Sequence, residues 1–324
     1  MNFTGERKDT QAVLQLRCSA GWTSGIHEQW IYLSAVNIFL SITAVLGNTL
    51  ILVALRKVSS LHPPSKLLIR CLATTDLCVG LITEPLSVVY WLSLTHEQWK
   101  LCRYAYASFF IIGYTLCSVS LLTACAISVD RLLALLLGLR YRQVVTLRRT
   151  YVIVVIFGVM SAIFSIFFLL NPLIPSWYGY VIIPLCLVTS IASYTKIFLK
   201  LRHRQIQVQG HDQQEQPSQI NPLNIERYRK GVSSALWVQC TLVACYLPYG
   251  IATALVYDSK SSPSSIFVLY VATTLVYLNS SLNPILYCWK ISEVKQAVKE
   301  TIREAFAVNR VSSVIAELYM YFSF

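Results

Sequence analysis

The chain has 324 residues, 55% of them hydrophobic and only 13% charged, with a mean hydropathy of +0.56. An apolar share of that size, gathered in long runs, excludes an ordinary soluble domain and fits a membrane protein. The net charge of +12 invites a nucleic-acid reading, but its placement speaks against one. Apart from Arg7, Lys8, Arg17, Lys100, Arg103 and Lys260, every Lys and Arg falls in or beside Arg56–Arg70, Arg131–Arg149, Lys196–Lys230 or Lys290–Arg310. The two groups alternate on opposite sides of successive apolar runs, as the excess of cations in cytoplasmic loops requires. The charge sets topology; the lipid bilayer is the implied partner, and nucleic acid is not.

Residues 1–29 form a short polar arm without the apolar core of a secretory signal, so the first apolar run is expected to act as its own signal anchor. Asn2-Phe3-Thr4 is a glycosylation sequon, making Asn2 a candidate modification site; Asn279-Ser280-Ser281 also matches but lies inside an apolar run. Seven apolar segments follow, at roughly 30–55, 67–94, 104–137, 151–170, 178–201, 233–257 and 266–289. A hydrocarbon core of about 30 Å needs only about 20 helical residues, so each is a candidate span. An odd number of spans with the basic loops inside places the N-terminus outside and the C-terminus in the cytoplasm of a multi-pass membrane protein. The expected fold is an all-α bundle of seven transmembrane helices over residues 30–289, followed by a short amphipathic helix and tail over 290–324. No internal repeat is visible, which argues against the inverted-repeat transporters.

Polar residues interrupt these runs at a few places. Gly47-Asn48 lies in the first span, where a lone Asn often serves only as a helix–helix hydrogen bond. Asp76 sits mid-way along the second, with Glu84-Pro85 about two turns further out. A carboxylate inside a membrane costs several kcal/mol, and such residues mark functional sites. Ser120 in the third span precedes Asp130-Arg131-Leu132 at the cytoplasmic boundary, a pair that also reads simply as snorkelling charges. The fifth span carries Pro184 and Tyr194, and the sixth ends in Cys245-Tyr246-Leu247-Pro248-Tyr249, whose Pro248 should kink the helix. The seventh holds Asn279, Ser280, Ser281, Asn283 and Pro284, groups that must face protein or internal water. The ten cysteines show no CxxC pairs or metal spacing, and Cys18 and Cys102 are the two that would face outward. All five His lie in loops or tails, so no catalytic constellation is visible and an enzyme is not expected.

Asn48, Leu72-Ala73-Thr74-Thr75-Asp76, Asp130-Arg131-Leu132, Cys245-Tyr246-Leu247-Pro248 and Asn283-Pro284-Ile285-Leu286-Tyr287 occur in order on the right spans and sides. Together they resemble a rhodopsin-class G-protein-coupled receptor over residues from about 30 to 306. The resemblance implies a receptor that binds an extracellular ligand and activates a heterotrimeric G protein. It implies a sodium site at Asp76, Ser120, Asn279, Ser280 and Asn283, with no other metal and no cofactor. It also implies an activation switch of Asp130, Arg131, Tyr194, Tyr246, Pro248, Asn283, Pro284 and Tyr287. Arg131 would pair with Asp130 at rest, then turn toward Tyr194, Tyr287 and the G protein. The Lys200–Lys230 loop would flank the docking cavity. Lys295, Lys299 and Arg303, interleaved with Val294, Ala297, Val298 and Ile302, suggest a helix lying along the inner leaflet. The competing readings are a receptor-like protein that no longer signals and a seven-span ion transporter or channel.

Departures from the family narrow the ligand. Leu132 replaces the usual Tyr, Tyr246 the toggle Trp and Gly158 the fourth-span Trp, while the fifth-span Pro comes two residues early as Pro184. The position of the capping Cys of the third span is Tyr106, and the short Asn171–Tyr178 connection has no Cys, so the usual bridge cannot form. Cys102 can instead pair with Cys18 in an oxidising exterior. Gly113 occupies the place where amine receptors carry Asp, and Tyr277 that of the retinal-binding Lys, so retinal linkage is excluded. The short fourth-to-fifth loop and the missing Cys and Pro are similar to the melanocortin, cannabinoid and lysophospholipid receptor group. Tyr106 and Phe110 replace the melanocortin acidic cluster, and Thr253 the adenosine-receptor Asn. By position Glu84, Phe110, Gly113, Tyr114, Cys117, Tyr246, Tyr249 and Tyr277 line the ligand pocket, an aromatic cavity with one carboxylate. It suits an amphipathic or weakly cationic small molecule, with lipid or peptide ligands left open.

Overall fold

The computed structural model describes residues 11, 13–19, 21, 27–59, 61–171, 173–211, 240–256, 263–290 and 293–304. Asn2, much of the Lys200–Lys230 loop and the tail from residue 305 lie outside the described residues. No strand occurs among them; the elements are helices packed side by side. α1 is His27–Lys57, α2 Pro63–Thr95, α3 Trp99–Leu137, α4 Leu147–Ile166, α5 Leu173–His211, α6 Cys240–Val256 and α7 Pro263–Lys290. All but α6 are long and apolar enough to cross a membrane, and α6 is a shorter apolar helix. All but α6 begin some three to five residues before the apolar run that announced them, because the helix continues past the hydrocarbon into polar residues. With 39 residues, α3 is about 58 Å long at about 1.5 Å per residue, well beyond the apolar core of a bilayer. Pro63-Pro64 opens α2, where a missing N–H is harmless, and Gly138 at φ +52° ends α3. Along α4, Val152, Ile156, Val159 and Ile163 are exposed, the pattern of a helix whose outer face meets lipid.

Two features set the register of the bundle. Val79–Thr83 is a π-helical turn inside α2, which adds a residue and rotates everything beyond it by roughly 100°. The Ser41 hydroxyl donates to the Gly80 carbonyl at 2.7 Å, satisfying a group at this irregular turn. Second, Gly47 of α1 faces Pro284 of α7, and a Cβ at residue 47 would come within 2.9 Å of the proline ring. Gly47→Val is therefore expected to push α1 off α7 and destabilise the fold by about 1–3 kcal/mol, measured as a fall in the melting temperature of the purified protein. Unchanged melting would mean that the two helices part there without penalty.

The core divides into two halves. One half, at the arm end, joins Trp30, Trp91, Tyr90, Tyr106, Phe109 and Tyr270 around Cys18 and Cys102. The other, at the opposite end, includes Ile51, Leu55, Leu72, Leu121, Tyr246 and Tyr287 and extends to Val294, Ala297 and Val298 of a helix over residues 293–304. The sequence pattern placed that helix on the inner leaflet. Its Val294, Ala297 and Val298 are buried against the bundle, while Ile302, Lys295, Lys299 and Arg303 face outward and Lys57 of α1 pairs with Glu304. Burying three small or branched side chains on helix neighbours removes them from water as fully as lipid would.

Candidate functional site

Functional side chains gather at three levels along the bundle. At the arm end a cavity of about 450 Å³ opens between α3, α5, α6 and α7. Phe110, Gly113, Tyr114, Cys117, Tyr246, Tyr249 and Tyr277 all line it. Phe110 stacks on Phe168 at 4.3 Å and on Tyr114 at 5.6 Å, giving one wall a continuous ring surface. The Tyr114 hydroxyl donates to the Pro175 carbonyl, and Tyr180 of α5 donates to the Thr253 carbonyl of α6 at 3.1 Å. At the floor the Tyr246 hydroxyl donates to the Cys117 carbonyl at 3.2 Å, tying α6 to α3.

Glu84 is not on this wall. The carboxyl is 0% exposed, and among the described residues neither of its oxygens has a hydrogen-bond partner. The π turn Val79–Thr83 stands just before it and adds a residue to the helix. Gly113 is likewise constrained by packing. A Cβ there would lie 2.7 Å from the Thr83 methyl and 3.6 Å from the Tyr277 hydroxyl, so no larger side chain fits without displacing Thr83.

Sequence spacing missed the cavity's contribution from the N-terminal arm, Val13 and Arg17. Cys18 is bonded to Cys102 at the top of α3, with Cα atoms 5.9 Å apart, which seats the arm at the cavity mouth. Burial lowers the basicity of Arg17, but the phenols of Tyr106, Tyr270 and Tyr90 outweigh it and leave the guanidinium above its ordinary value. The available signal was the neighbour: a residue adjacent to Cys18 goes wherever Cys102 is.

One level down, Asp76 is fully buried and ties three helices together. Its Oδ1 accepts from Ser120 of α3 and Ser280 of α7, both at 2.9 Å, and its Oδ2 accepts from Asn283 at 2.7 Å. Asn48 of α1 donates to the Ser280 carbonyl at 3.0 Å, fixing that turn of α7 from behind. Asn279 is buried in the same turn but is not among the groups that donate to the carboxylate. The carboxylate and the two serine hydroxyls form an all-oxygen set, the donor chemistry that hard cations take.

At the far end Asp130 is held differently from the pairing expected with Arg131. Its Oδ2 accepts from Ser65 of α2 at 2.7 Å and its Oδ1 from Tyr141 at 2.6 Å, on the short helix Tyr141–Val144 after α3. Ser65 and Tyr141 also contact one another at 3.2 Å. Both carboxylate oxygens are thus occupied by neutral donors, and the one ion pair within 4 Å among the described residues is Lys57–Glu304. Arg131 has the Tyr194 and Tyr287 rings in Coulombic range, and Ser128 donates to the Tyr194 hydroxyl at 3.3 Å. Tyr141→Phe combined with Ser65→Ala frees Asp130 to take its neighbour Arg131, so G-protein activation in a cell sensor is expected to drop several-fold. Undiminished activation would reduce this clasp to packing.

A membrane bundle with a ring-lined cavity at one end, an oxygen cage at mid-depth and an Arg at the other end defines a ligand-operated transmembrane receptor. The profile of the 7 transmembrane receptor (rhodopsin family) matches residues 47–174 and 173–287, and the chain belongs to that family, whose members bind extracellular ligands and signal through G proteins. Among similar proteins are adenosine receptor A3 of sheep (Ovis aries), 25% identical over 86% of this chain and 90% of that one, and 5-hydroxytryptamine receptor 1D of rabbit (Oryctolagus cuniculus), 25% identical over 85% and 90%. Trace amine-associated receptor 9 of Homo sapiens is 26% identical over 82% of this chain and 83% of its own. The bundle of seven transmembrane helices is that of the family.

Proposed function

We propose that this receptor sits in the plasma membrane with its arm outside, takes a small amphipathic ligand with a ring-bearing body into the aromatic cavity, and relays occupancy to a heterotrimeric G protein at the Arg131 end. The observation that carries this reading is the cavity itself, whose floor is the Tyr246–Cys117 contact between α6 and α3. A ligand resting on Tyr246 biases the helix that carries Pro248, and that bias is available at the other end as a change in the space beside Arg131, Tyr194 and Tyr287. Asp76, Ser120, Ser280 and Asn283 would hold a sodium ion, which supplies the positive charge that a carboxylate in hydrocarbon lacks. Asn283 and Pro284 then lie in the same turn of α7 as the ion's ligands, so the cage and the kink move together.

The names of the relatives suggest amine and adenosine ligands, and this site supports neither. Gly113 has no room for the Asp that would meet an ammonium group. Thr253 stands at the adenosine receptors' Asn, and its hydroxyl is directed to its own helix, donating to the Tyr249 and Gly250 carbonyls at 2.9 Å. The weakly cationic alternative also loses its anchor with Glu84 off the wall.

A panel of G-protein dissociation sensors, read in cells expressing the receptor with Arg131→Ala as control, tests the proposal. The expected result is activation of one G-protein subtype that Arg131→Ala abolishes. Activation indifferent to Arg131→Ala, or a sodium-dependent current with no G-protein response, would overturn it.

A further inference from the structure

We propose that the deep end of the outer cavity reads an uncharged oxygen acceptor, a carbonyl above all, with the phenol hydroxyls of Tyr277 and Tyr249. The inference names the polar end of the ring-bearing ligand placed in this cavity and rests on that reading.

The tyrosine hydroxyls of the cavity are unequally engaged. Tyr114 donates to the Pro175 carbonyl, Tyr180 to that of Thr253, Tyr246 to that of Cys117 and Tyr270 to the Tyr90 hydroxyl. Those hydroxyls are committed to protein oxygens. Tyr277 of α7 and Tyr249 of α6 line the same cavity, yet among the described residues neither hydroxyl has a hydrogen-bond partner. Tyr277 is only 2% exposed. A phenol removed from bulk water keeps its need for a partner, and a wall that leaves the need unmet favours a ligand that meets it.

Position sharpens the assignment. A Cβ at residue 113 would lie 3.6 Å from the Tyr277 hydroxyl, so any side chain there would stand against it, and glycine leaves that flank clear. Both phenols are in Coulombic range of the Cys117 thiol, and Tyr277 is in range of Tyr249 as well. Two donors on neighbouring helices therefore serve one depth of the cavity, near the Tyr246–Cys117 floor.

The charge at this depth favours a neutral partner. Glu84 is 0% exposed and offers no oxygen to the wall, and Arg17 belongs to the arm at the mouth. A ligand ion near Tyr277 would lose its water without a counter-ion in contact. A carbonyl loses far less hydration, and its two lone pairs can accept from both phenols.

Four naphthalenes of similar outline test the inference: 2-acetylnaphthalene (a ketone), 2-isopropenylnaphthalene (the alkene of the same shape, without an oxygen), 2-naphthoate (an anion) and 1-(2-naphthyl)ethylammonium (a cation). Each would be titrated into the purified full-length receptor. Occupancy would be read by peptide mass mapping as protection of Cys117, a free thiol on the cavity wall, from methyl methanethiosulfonate. The ketone should protect at about tenfold lower concentration than the alkene, and at lower concentration than either ion. Tyr277→Phe and Tyr249→Phe should each cut the ketone-to-alkene ratio about threefold, and the double variant should bring it near unity. Protection by the alkene needs neither hydroxyl, so it reports in every variant whether the cavity is intact, and the wild-type ratio stands without any variant. A wild-type ratio of unity, an ion that protects at lower concentration than the ketone, or a ratio that survives the double variant would overturn the inference alone. If neither the ketone nor the alkene protects Cys117, the small-ligand reading of the cavity fails, and this inference with it.

Discussion

Asp76→Asn is expected to abolish the response of the receptor's thermal stability to sodium while leaving it at least as stable as the wild type in sodium-free medium. Three donors converge on the carboxylate, Ser120 and Ser280 on one oxygen and Asn283 on the other. Hydrogen bonds from neutral donors reduce but do not neutralise a charge that is 0% exposed in the middle of a bundle. A bound cation would complete the compensation, contributing about 1.4 kcal/mol for each tenfold excess of sodium over its Kd. Asparagine removes the charge and this linkage. It also places an amide opposite the Asn283 amide, losing one charge-assisted bond of about 1.5–3 kcal/mol against the relief of an uncompensated carboxylate. The measurement is melting of the purified protein in sodium chloride and in choline chloride at equal ionic strength. Wild-type curves should separate and Asp76→Asn curves coincide. Asp76→Ala should be less stable in both salts, since it strands donors at about 1–3 kcal/mol each. A sodium response that persists in Asp76→Asn would put the ion elsewhere.

Breaking the Cys18–Cys102 bond should have the second largest effect, on the arm end rather than the whole bundle. The bridge closes a loop with a sequence separation of 84, for which chain entropy alone gives roughly 4.5 kcal/mol, while native bridges typically contribute about 2–4 kcal/mol. The lower part of that range is expected, because α1 and α2 lie within the loop and the membrane already restrains them. Cys18→Ser should lower the melting temperature, expose the arm to limited proteolysis and speed labelling of Cys117 by methyl methanethiosulfonate as Val13 and Arg17 leave the cavity wall. An unaltered proteolysis pattern would mean that the tyrosines around Arg17, Tyr90 above all, hold the arm without the bridge.

How far these effects could be read in advance differs from residue to residue. Asp76, Ser120, Ser280 and Asn283 lie in three separate spans, yet the structure brings all four together. An ionisable group in hydrocarbon must find polar neighbours, and few polar residues occur at matching depth. Glu84 satisfies the same rule far less well, its oxygens having no hydrogen-bond partner among the described residues, and a placement by position took no account of the π turn before it. Nothing in Val79–Thr83 announces a π turn except Gly80, where α1 comes so close that a Cβ would lie 3.0 Å from Ala44 and 3.1 Å from the Ser41 carbonyl. For Asp130, the family resemblance suggested Arg131 as the partner, whereas neighbours in a helix point about 100° apart. Ser65 and Tyr141, one helix and one turn away, have better directions. The helix over 293–304 showed its amphipathic face plainly, but a stripe of Val and Ala looks the same whether lipid or protein covers it.

The sequence by itself determined the apolar spans and the depth at which each polar residue lies along them, and the placement of Lys and Arg set the sidedness it leads one to expect. Those follow from local chemistry: hydrocarbon selects apolar helices, and cations stay on one side. Tertiary structure alone decided which polar groups meet, that the arm closes one end of the cavity with Arg17, and that Glu84 is withheld from it. Those properties depend on the rotation of each helix about its axis and on one covalent link across 84 residues, and neither is encoded in hydrophobic period.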